Sequence, residues 1–365
     1  MSSFATLARF SDPVRIVLVG AGAMGANWAK VIHETAETRL AGVVDITAGA
    51  ADKLLTALKI EDVPTRTSLA DFESFGLDYD AVINVTVPEA HKAVITEGLQ
   101  RGKAVLSEKP LAPTVTEAWS LAAVAAVSGT LLMTSQSRRY FRGLTAFKRS
   151  VKALGPVGIL TNDFFKAPHF GGFREAMADP LLVDMGIHPF DAARFILDDE
   201  PVSVYCESFN PSWSWYDGDA AATALFTFST GSRFRYTGSW CSPGSETSWN
   251  GSWRASSEAG TVLWDGEGPP TSTDTTVPEL DPLEREEISG ALDEFVRALR
   301  TGAEPSGIAD RNLMSLAMVE AAVTSNRRGE LVHLIDILTA ARDEAILATT
   351  NKAERSWLAG ALPAR

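Results

Sequence analysis

In the first third of the chain, short runs of apolar residues alternate with longer stretches in which apolar residues recur every three or four positions. The short runs predict buried strands and the longer period predicts helices. Strands that alternate with helices of about ten residues or more form parallel, doubly wound sheets. The predicted strands lie at 14–19, 40–45, near 63, 81–86, 103–107 and 130–136, and the helices start near 23 and cover 48–58, 68–74, 88–102 and 114–127.

The pattern changes after about residue 136, where runs of β character follow one another without long crossover helices. Such strands pair mainly antiparallel. They are predicted at 157–165, 202–209, 220–228, 232–240, 252–256 and 261–264, with helices at 143–153, 182–197, 283–301, 308–327 and from 335, and a polar loop at 271–281. The fold class is therefore α/β: a doubly wound parallel domain, 1–137, precedes an α+β domain, 138–365, with a large, mainly antiparallel sheet.

The first predicted strand ends in a glycine-rich turn, Gly20-Ala-Gly22-Ala-Met-Gly25. A turn of this kind directs backbone N–H groups and a helix N-terminus toward a pyrophosphate. Gly20 allows the tight turn, Gly22 lets the phosphate approach the backbone, and Gly25 lets the helix pack close to the strand. We therefore predict a dinucleotide-binding Rossmann domain in which these glycines, with Ala23 and Met24, contact the cofactor. A plain strand-to-helix turn is the alternative interpretation.

Asp45 ends the second long apolar run, twenty residues after Gly25. A carboxylate at this point accepts hydrogen bonds from the adenosine ribose and repels a 2′-phosphate. The nearest basic residue that follows is Lys53, so NAD is favoured over NADP. An acid that caps the next helix is the alternative role for Asp45.

Composition narrows the function further. The chain has 33 basic and 46 acidic residues and a net charge of −13, which argues against a nucleic-acid partner. No apolar run approaches membrane-spanning length, and the first ten residues show no cationic leader, so a cytoplasmic protein without a membrane partner is expected. The two cysteines and five histidines show no metal-ligand spacing, so no metal is predicted.

Three groups of residues could carry chemistry. Glu108-Lys109-Pro110 is predicted to follow the fifth strand, at the carboxyl edge where such sheets bind ligands. Asp184 and His188 are four residues apart in a predicted helix of the second domain, a spacing that places them on one helical face. Pro189 disfavours helical geometry at His188, so the alternative is a pair that straddles the start of the helix.

A third group follows the fourth predicted strand. Thr86, Pro88 and His91 are expected near the nicotinamide end of the cofactor, and we include them with Glu108 and Lys109 among the predicted cofactor contacts. His91 could equally be a helix-surface residue, and Glu108 could simply pair with a nearby base.

With these motifs the chain resembles the glucose–fructose oxidoreductase/inositol dehydrogenase/rhizopine catabolism (Gfo/Idh/MocA) family over nearly its whole length. The most specific matches are Glu108-Lys109-Pro110 and the later Asp184 and His188. The resemblance implies that Lys109, Asp184 and His188 face the nicotinamide, and that the substrate is a secondary alcohol of a sugar or cyclitol. It also implies a homodimer or homotetramer and often a cis bond before the proline.

The chemistry of these side chains suits that activity. His188 can remove the hydroxyl proton near neutral pH, and Lys109 can stabilise the developing alkoxide. Asp184 would hold one of them in place. Further substrate contacts are predicted at Arg138, Lys166 and Arg174, with surface ion pairs as the alternative.

The sequence therefore predicts an NAD-dependent dehydrogenase for a sugar, sugar derivative or cyclitol. Two alternatives stay open. One is a redox-neutral enzyme in which tightly bound NAD oxidises a sugar transiently and permits cleavage or epimerisation. The other is an NAD-binding regulator without catalysis.

Overall fold

The structure is a computed structural model that describes residues 4–8 and 12–361. The first residue of the first predicted domain and the last residue of the second therefore lie outside the described residues. So does part of the segment in which no leader is predicted. The chain divides into two compact units. Of the described residues, the first contains 4–8, 12–136, Ile288–Leu313 and Ala341–Ala361, and the second contains Ser137–Glu287 and Met314–Ala340. The functional domain boundary after residue 137 stays a prediction.

Most strands lie within a few residues of their predicted positions. The strands are β1 (Val14–Val19), β2 (Thr38–Val44), β3 (Thr65–Arg66), β4 (Ala81–Asn84), β5 (Ala104–Glu108), β6 (Leu132–Ser135), β7 (Val157–Phe165), β8 (Pro201–Phe209), β9 (Ala221–Phe228), β10 (Arg233–Ser239), β11 (Ser252–Ser257), β12 (Gly260–Trp264), β13 (Thr271–Ser272) and β14 (Val332–His333). The predicted loop at 271–281 was wrong at its start, because its first two residues form β13 and pair with β12.

The helices also follow the predicted order. They are α1 (Ala23–Glu34), α2 (Ala50–Leu58), α3 (Leu69–Ser74), α4 (Pro88–Gln100), α5 (Val115–Ser128), α6 (Arg142–Ala153), α7 (Ile187–Leu197), α8 (Glu287–Thr301), α9 (Ala309–Arg328), α10 (Leu334–Ala348) and α11 (Lys352–Gly360). Local signals fix several starts: Ser68 and Thr114 accept N–H groups of the first turns of α3 and α5. The helix predicted from residue 283 begins four residues later, at Glu287.

The sheet of the first unit has six parallel strands in the order β3-β2-β1-β4-β5-β6. This confirms the doubly wound prediction. Its central strand is fully covered, since Ile16, Val17 and Leu18 are each 0% exposed. The strand order reverses between β1 and β4, and ligands of such sheets bind at the carboxyl ends of the strands at that point.

The sheet of the second unit has eight strands in the order β13-β12-β11-β7-β10-β9-β8-β14. Of its described strand pairs, β7 with β10 is parallel and the others are antiparallel, which confirms the mainly antiparallel prediction. Aromatic rings of this sheet pack on α7. The ring of Phe190 lies 4.8 Å from that of Phe226 and 5.4 Å from that of Tyr236.

Candidate active site

The glycine turn between β1 and α1 combines two close approaches with one open position. A Cβ atom on Gly25 would lie 2.2 Å from the carbonyl oxygen of Gly20, and one on Gly20 would lie 2.9 Å from the backbone of Val85. At Gly22 a Cβ atom would meet nothing within 4 Å. Gly22 is also the N-cap of α1 and offers no side-chain cap to its first N–H groups. The turn therefore fits a pyrophosphate, which would supply the missing acceptors.

Asp45 follows β2 and is tied to the same turn. Its Oδ2 accepts the N–H of Ala21 at 2.7 Å, and its Oδ1 accepts the N–H of Thr47 at 2.8 Å. Each carboxylate oxygen has a second lone pair, so Asp45 can also accept hydrogen bonds from ribose hydroxyls. The same carboxylate thus shapes the turn and is available to a nucleoside.

Asp45 lines a cavity of about 550 Å³ in the first unit. Arg66 and Phe75 line it too, with the guanidinium carbon 4.1 Å from the ring centroid. A carboxylate beside this stacked pair fits the ribose and base of an adenosine. The sequence argument for NAD missed Arg66, which lies 21 positions after Asp45. The pairing of β3 with β2 places Arg66 opposite Val44. A sequence prediction of that pairing would have brought Arg66 close to Asp45.

His91 holds two turns together within the first unit. It is 1% exposed, and its ring nitrogens lie 2.8 Å from the carbonyl oxygen of Pro110 and 3.1 Å from that of Thr86. Burial lowers the pKa of His91. Pro88 is the first residue of α4 and follows the Thr86 turn. Both ring nitrogens thus face backbone atoms, while the cofactor contacts of these three residues stay predictions.

Glu108 is the last residue of the fifth strand, and Lys109 follows it. β5 runs to Glu108, so the prediction that the strand stops at Ser107 was one residue short. The indole N–H of Trp28 on α1 donates to Glu108 Oε1 at 2.9 Å, and the backbone N–H of Lys109 donates to Oε2 at 3.2 Å. Burial raises the pKa of the Glu108 carboxyl. Glu108 therefore joins α1, the helix after the glycine turn, to the residue that we predict to be catalytic, and the peptide bond after Lys109 is cis.

Asp184 and His188 lie on either side of a helix start, as in the alternative interpretation. Asp184 is in a π-helical turn, Leu181–Gly186, and His188 is the second residue of α7. Single π-helical turns are frequent at functional sites. Arg174 donates from Nε to Asp184 Oδ2 at 2.7 Å, so this carboxylate has a cationic partner in its own unit.

The other predicted substrate contacts lie in the second unit. Lys166 forms an ion pair with Glu246 at 2.9 Å, and its ammonium lies 5.4 Å from the ring centroid of Trp249. Arg138 donates to the backbone carbonyl of Trp249 and, at 3.7 Å, to the sulfur of Met185. No motif pointed to Met185, or to Trp249 individually, because their contacts depend on tertiary packing.

Residues 4–8 and 12–361 contain no group of three or more His, Cys, Asp or Glu side chains arranged to hold a metal ion. Across the same part of the chain, every helix is too short or too polar to cross a membrane.

Comparison with known protein families identifies both parts of the chain. Residues 14–136 match the oxidoreductase family with an NAD-binding Rossmann fold, and residues 161–263 match the GFO/IDH/MocA C-terminal domain. The chain belongs to the GFO/IDH/MocA oxidoreductase family. The family resemblance predicted from the motifs is thereby confirmed, and so is NAD as the cofactor of this oxidoreductase.

Individual relatives of this family member are distant. The uncharacterized protein y4oX of Sinorhizobium fredii is 26% identical over 90% of this chain and 98% of its own length. The inositol 2-dehydrogenase of Rhizobium meliloti is 31% identical, but the match spans only 52% of this chain and 57% of that enzyme. A crystal structure of an Agrobacterium radiobacter oxidoreductase with NAD⁺, L-tartaric acid and magnesium has 20% identity and a TM-score of 0.77, and covers 88% of this chain and 98% of that one. At that identity the likeness shows the fold alone.

Proposed function

We propose that this oxidoreductase oxidises a secondary hydroxyl of a sugar, sugar derivative or cyclitol, with Lys109, Asp184 and His188 as the catalytic residues. The observation that carries the proposal is the family membership of both domains, together with the family's motif residues at these three positions. The partial match to inositol 2-dehydrogenase supports a cyclic polyol as the substrate class. A homodimer or homotetramer is also proposed on the family resemblance, and a cytoplasmic location on the sequence composition.

The reaction removes two electrons and two hydrogens from the carbinol. Bound NAD supplies the acceptor for the hydride, at C4 of its nicotinamide. His188 takes the hydroxyl proton, and the O–H electron pair forms the carbonyl as the C–H bond breaks. Lys109 donates a hydrogen bond to the same oxygen and stabilises its negative charge. In this proposal Asp184 orients His188 and balances the local positive charge.

The surrounding contacts support these roles. Glu108 binds the backbone N–H of Lys109 and so fixes the start of that turn. Arg174 holds the Asp184 carboxylate by a charge-assisted hydrogen bond of 2.7 Å. Such supporting hydrogen bonds keep catalytic side chains within the narrow range of geometry that a reaction needs.

The test incubates purified protein with NAD and each member of a panel of pyranoses and inositols. The rate of NADH formation measures turnover. We expect Lys109→Ala and His188→Ala each to lower kcat/KM by about 100-fold or more. Lys352→Ala and His333→Ala are matched controls, since both residues are exposed and lie on other elements. Losses below tenfold in both site variants would refute the assignment. Product without NADH accumulation would instead favour the redox-neutral alternative.

A further inference from the structure

Four basic side chains of the second unit differ in their partners, and three of them have a carboxylate partner. The pairs are Arg139 with Asp191 at 2.7 Å, Lys166 with Glu246 at 2.9 Å, and Arg174 with Asp184 at 2.7 Å. The fourth is Arg138. Over residues 4–8 and 12–361, no carboxylate lies within 4.0 Å of its guanidinium.

The partners that Arg138 does have are weak for a full positive charge. One terminal nitrogen donates to the backbone carbonyl of Trp249, and the other lies 3.7 Å from the thioether of Met185. A thioether is a weak acceptor. Burial lowers the pKa of Arg138 to about 10, so the side chain is still charged at neutral pH. A partly buried charge that has no carboxylate in ion-pair contact, and only the more distant Glu287 to offset it, is costly to keep, and perturbed groups of this kind cluster at functional sites.

The position of Arg138 connects it with the proposed chemistry. Met185 follows Asp184 directly, and Arg138 lines one small cavity together with His188 and Asn250. That cavity is about 10 Å³, which is room for roughly one water molecule. A larger group must therefore reach the guanidinium from its partly exposed side.

We propose that Arg138 binds an anionic substituent of the substrate, a carboxylate or a phosphate, so that the preferred substrates are acidic sugars. The guanidinium forms paired hydrogen bonds with both kinds of group. A site that keeps a desolvated charge ready for its ligand also rejects analogues that leave the charge unpaired. This inference rests on the proposed function and narrows its substrate class.

The first experiment measures kcat/KM for matched substrates that share a ring. Three rings are used, the gluco, galacto and manno hexoses. Each is tested as the neutral hexose, as the uronate and as the 6-phosphate. We expect one acidic series to exceed its neutral partner by about 10- to 100-fold, the value of one charged hydrogen bond. Arg138→Met should remove this preference, and Arg138→Lys should keep part of it. The acidic series with the higher kcat/KM shows whether the anion is a carboxylate or a phosphate. Equal rates for acidic and neutral sugars would overturn the proposal.

The second experiment measures binding and stability without turnover. Because Arg138 has no carboxylate in ion-pair contact, we expect ligand-free Arg138→Met to have an unchanged or higher Tm than the parent. The preferred acid should raise the Tm of the parent in the presence of NAD and should not raise that of the variant. Arg149→Met is the control, since Arg149 is an exposed partner of Glu284 and carries the same charge. A Tm lowered by more than about 3 °C would assign Arg138 a structural role and overturn the proposal.

The two proposals fail in different ways. If neutral sugars reduce NAD as fast as acidic ones, the dehydrogenase assignment stands and the inference about Arg138 falls. If no sugar is oxidised, the proposed function falls. The Tm shift with uronates or sugar phosphates then still decides whether Arg138 binds an anion.

Discussion

Asp45 holds the glycine turn, and it is also the residue that we predict to contact the ribose. The position of an acid after the second strand predicted a contact with the adenosine ribose, and the alternative was a helix cap. In the structure both of its oxygens accept backbone N–H groups, from Ala21 and Thr47. The spacing identified the residue, but it could not show that Arg66 lies in the same cavity, because that neighbour depends on strand pairing.

Glu108 makes the stability of the protein depend on pH in a direction opposite to that of an ordinary ion-paired carboxylate. Burial raises its pKa above the value of the unfolded chain. Between the two pKa values the folded state holds a proton that the unfolded state has lost. This contribution to stability is therefore present at low pH and is lost as pH rises through the folded pKa. Each unit of the shift corresponds to about 1.4 kcal/mol.

The substitution Glu108→Gln should remove that dependence. We expect the free energy of unfolding of the variant, relative to the parent, to increase as pH rises from about 4 toward neutrality. Denaturant unfolding at a series of pH values measures the difference. Glu258→Gln is the control, because Glu258 is exposed. A difference that stays constant with pH would show that Glu108 does not hold its proton in the folded protein.

At the scale of elements, the strands and helices of the first unit could be predicted because each has its own signal. Ser68 and Thr114 mark helix starts by their side-chain caps, and Pro88 marks another. The π-helical turn at Leu181–Gly186 could not be predicted. The spacing of Asp184 and His188 predicted a regular helix, whereas Pro189 disfavours helical geometry at His188. This disagreement was the only sign of an irregular helix start. The two-residue strand β13 also escaped, because it exists only through its pairing with β12.

The glycine turn separates two requirements that the sequence motif combines. Gly25 is needed by the fold, because a Cβ atom there would lie 2.2 Å from Gly20 O, whereas one on Gly22 would meet nothing within 4 Å. We expect Gly25→Ala to destabilise the protein by about 1–3 kcal/mol.

Gly22→Ala should leave stability within about 0.5 kcal/mol of the parent but weaken NAD binding about tenfold or more, since its methyl group occupies the approach of the pyrophosphate. Denaturant unfolding and calorimetric NAD titration measure the two effects. Normal NAD affinity in Gly22→Ala would show that the phosphate does not pass this position.

For the whole molecule, sequence patterns gave the order of elements but not their assignment to compact units. The helical segments 288–313 and 341–361 belong to the first unit, although they follow the second sheet in the chain. Helix periodicity shows that a segment has an apolar face, but not which distant element covers it. For α11 that element is α5, and the rings of Trp119 and Trp357 lie 6.2 Å apart.

This long-range packing makes the C-terminal helix part of the core of the NAD-binding unit. Leu358 on α11 is 0% exposed, whereas Leu347 on α10 is 83% exposed. We therefore expect Leu358→Ala to lower the free energy of unfolding by about 2–5 kcal/mol, because it leaves a cavity. The same substitution at Leu347 should change it by less than about 0.5 kcal/mol. Denaturant unfolding of both variants measures the two changes in the free energy of unfolding. Excess NAD should restore part of the stability lost in Leu358→Ala, because a ligand of the folded unit stabilises it by mass action. Equal effects of the two substitutions would mean that α11 is not part of this core.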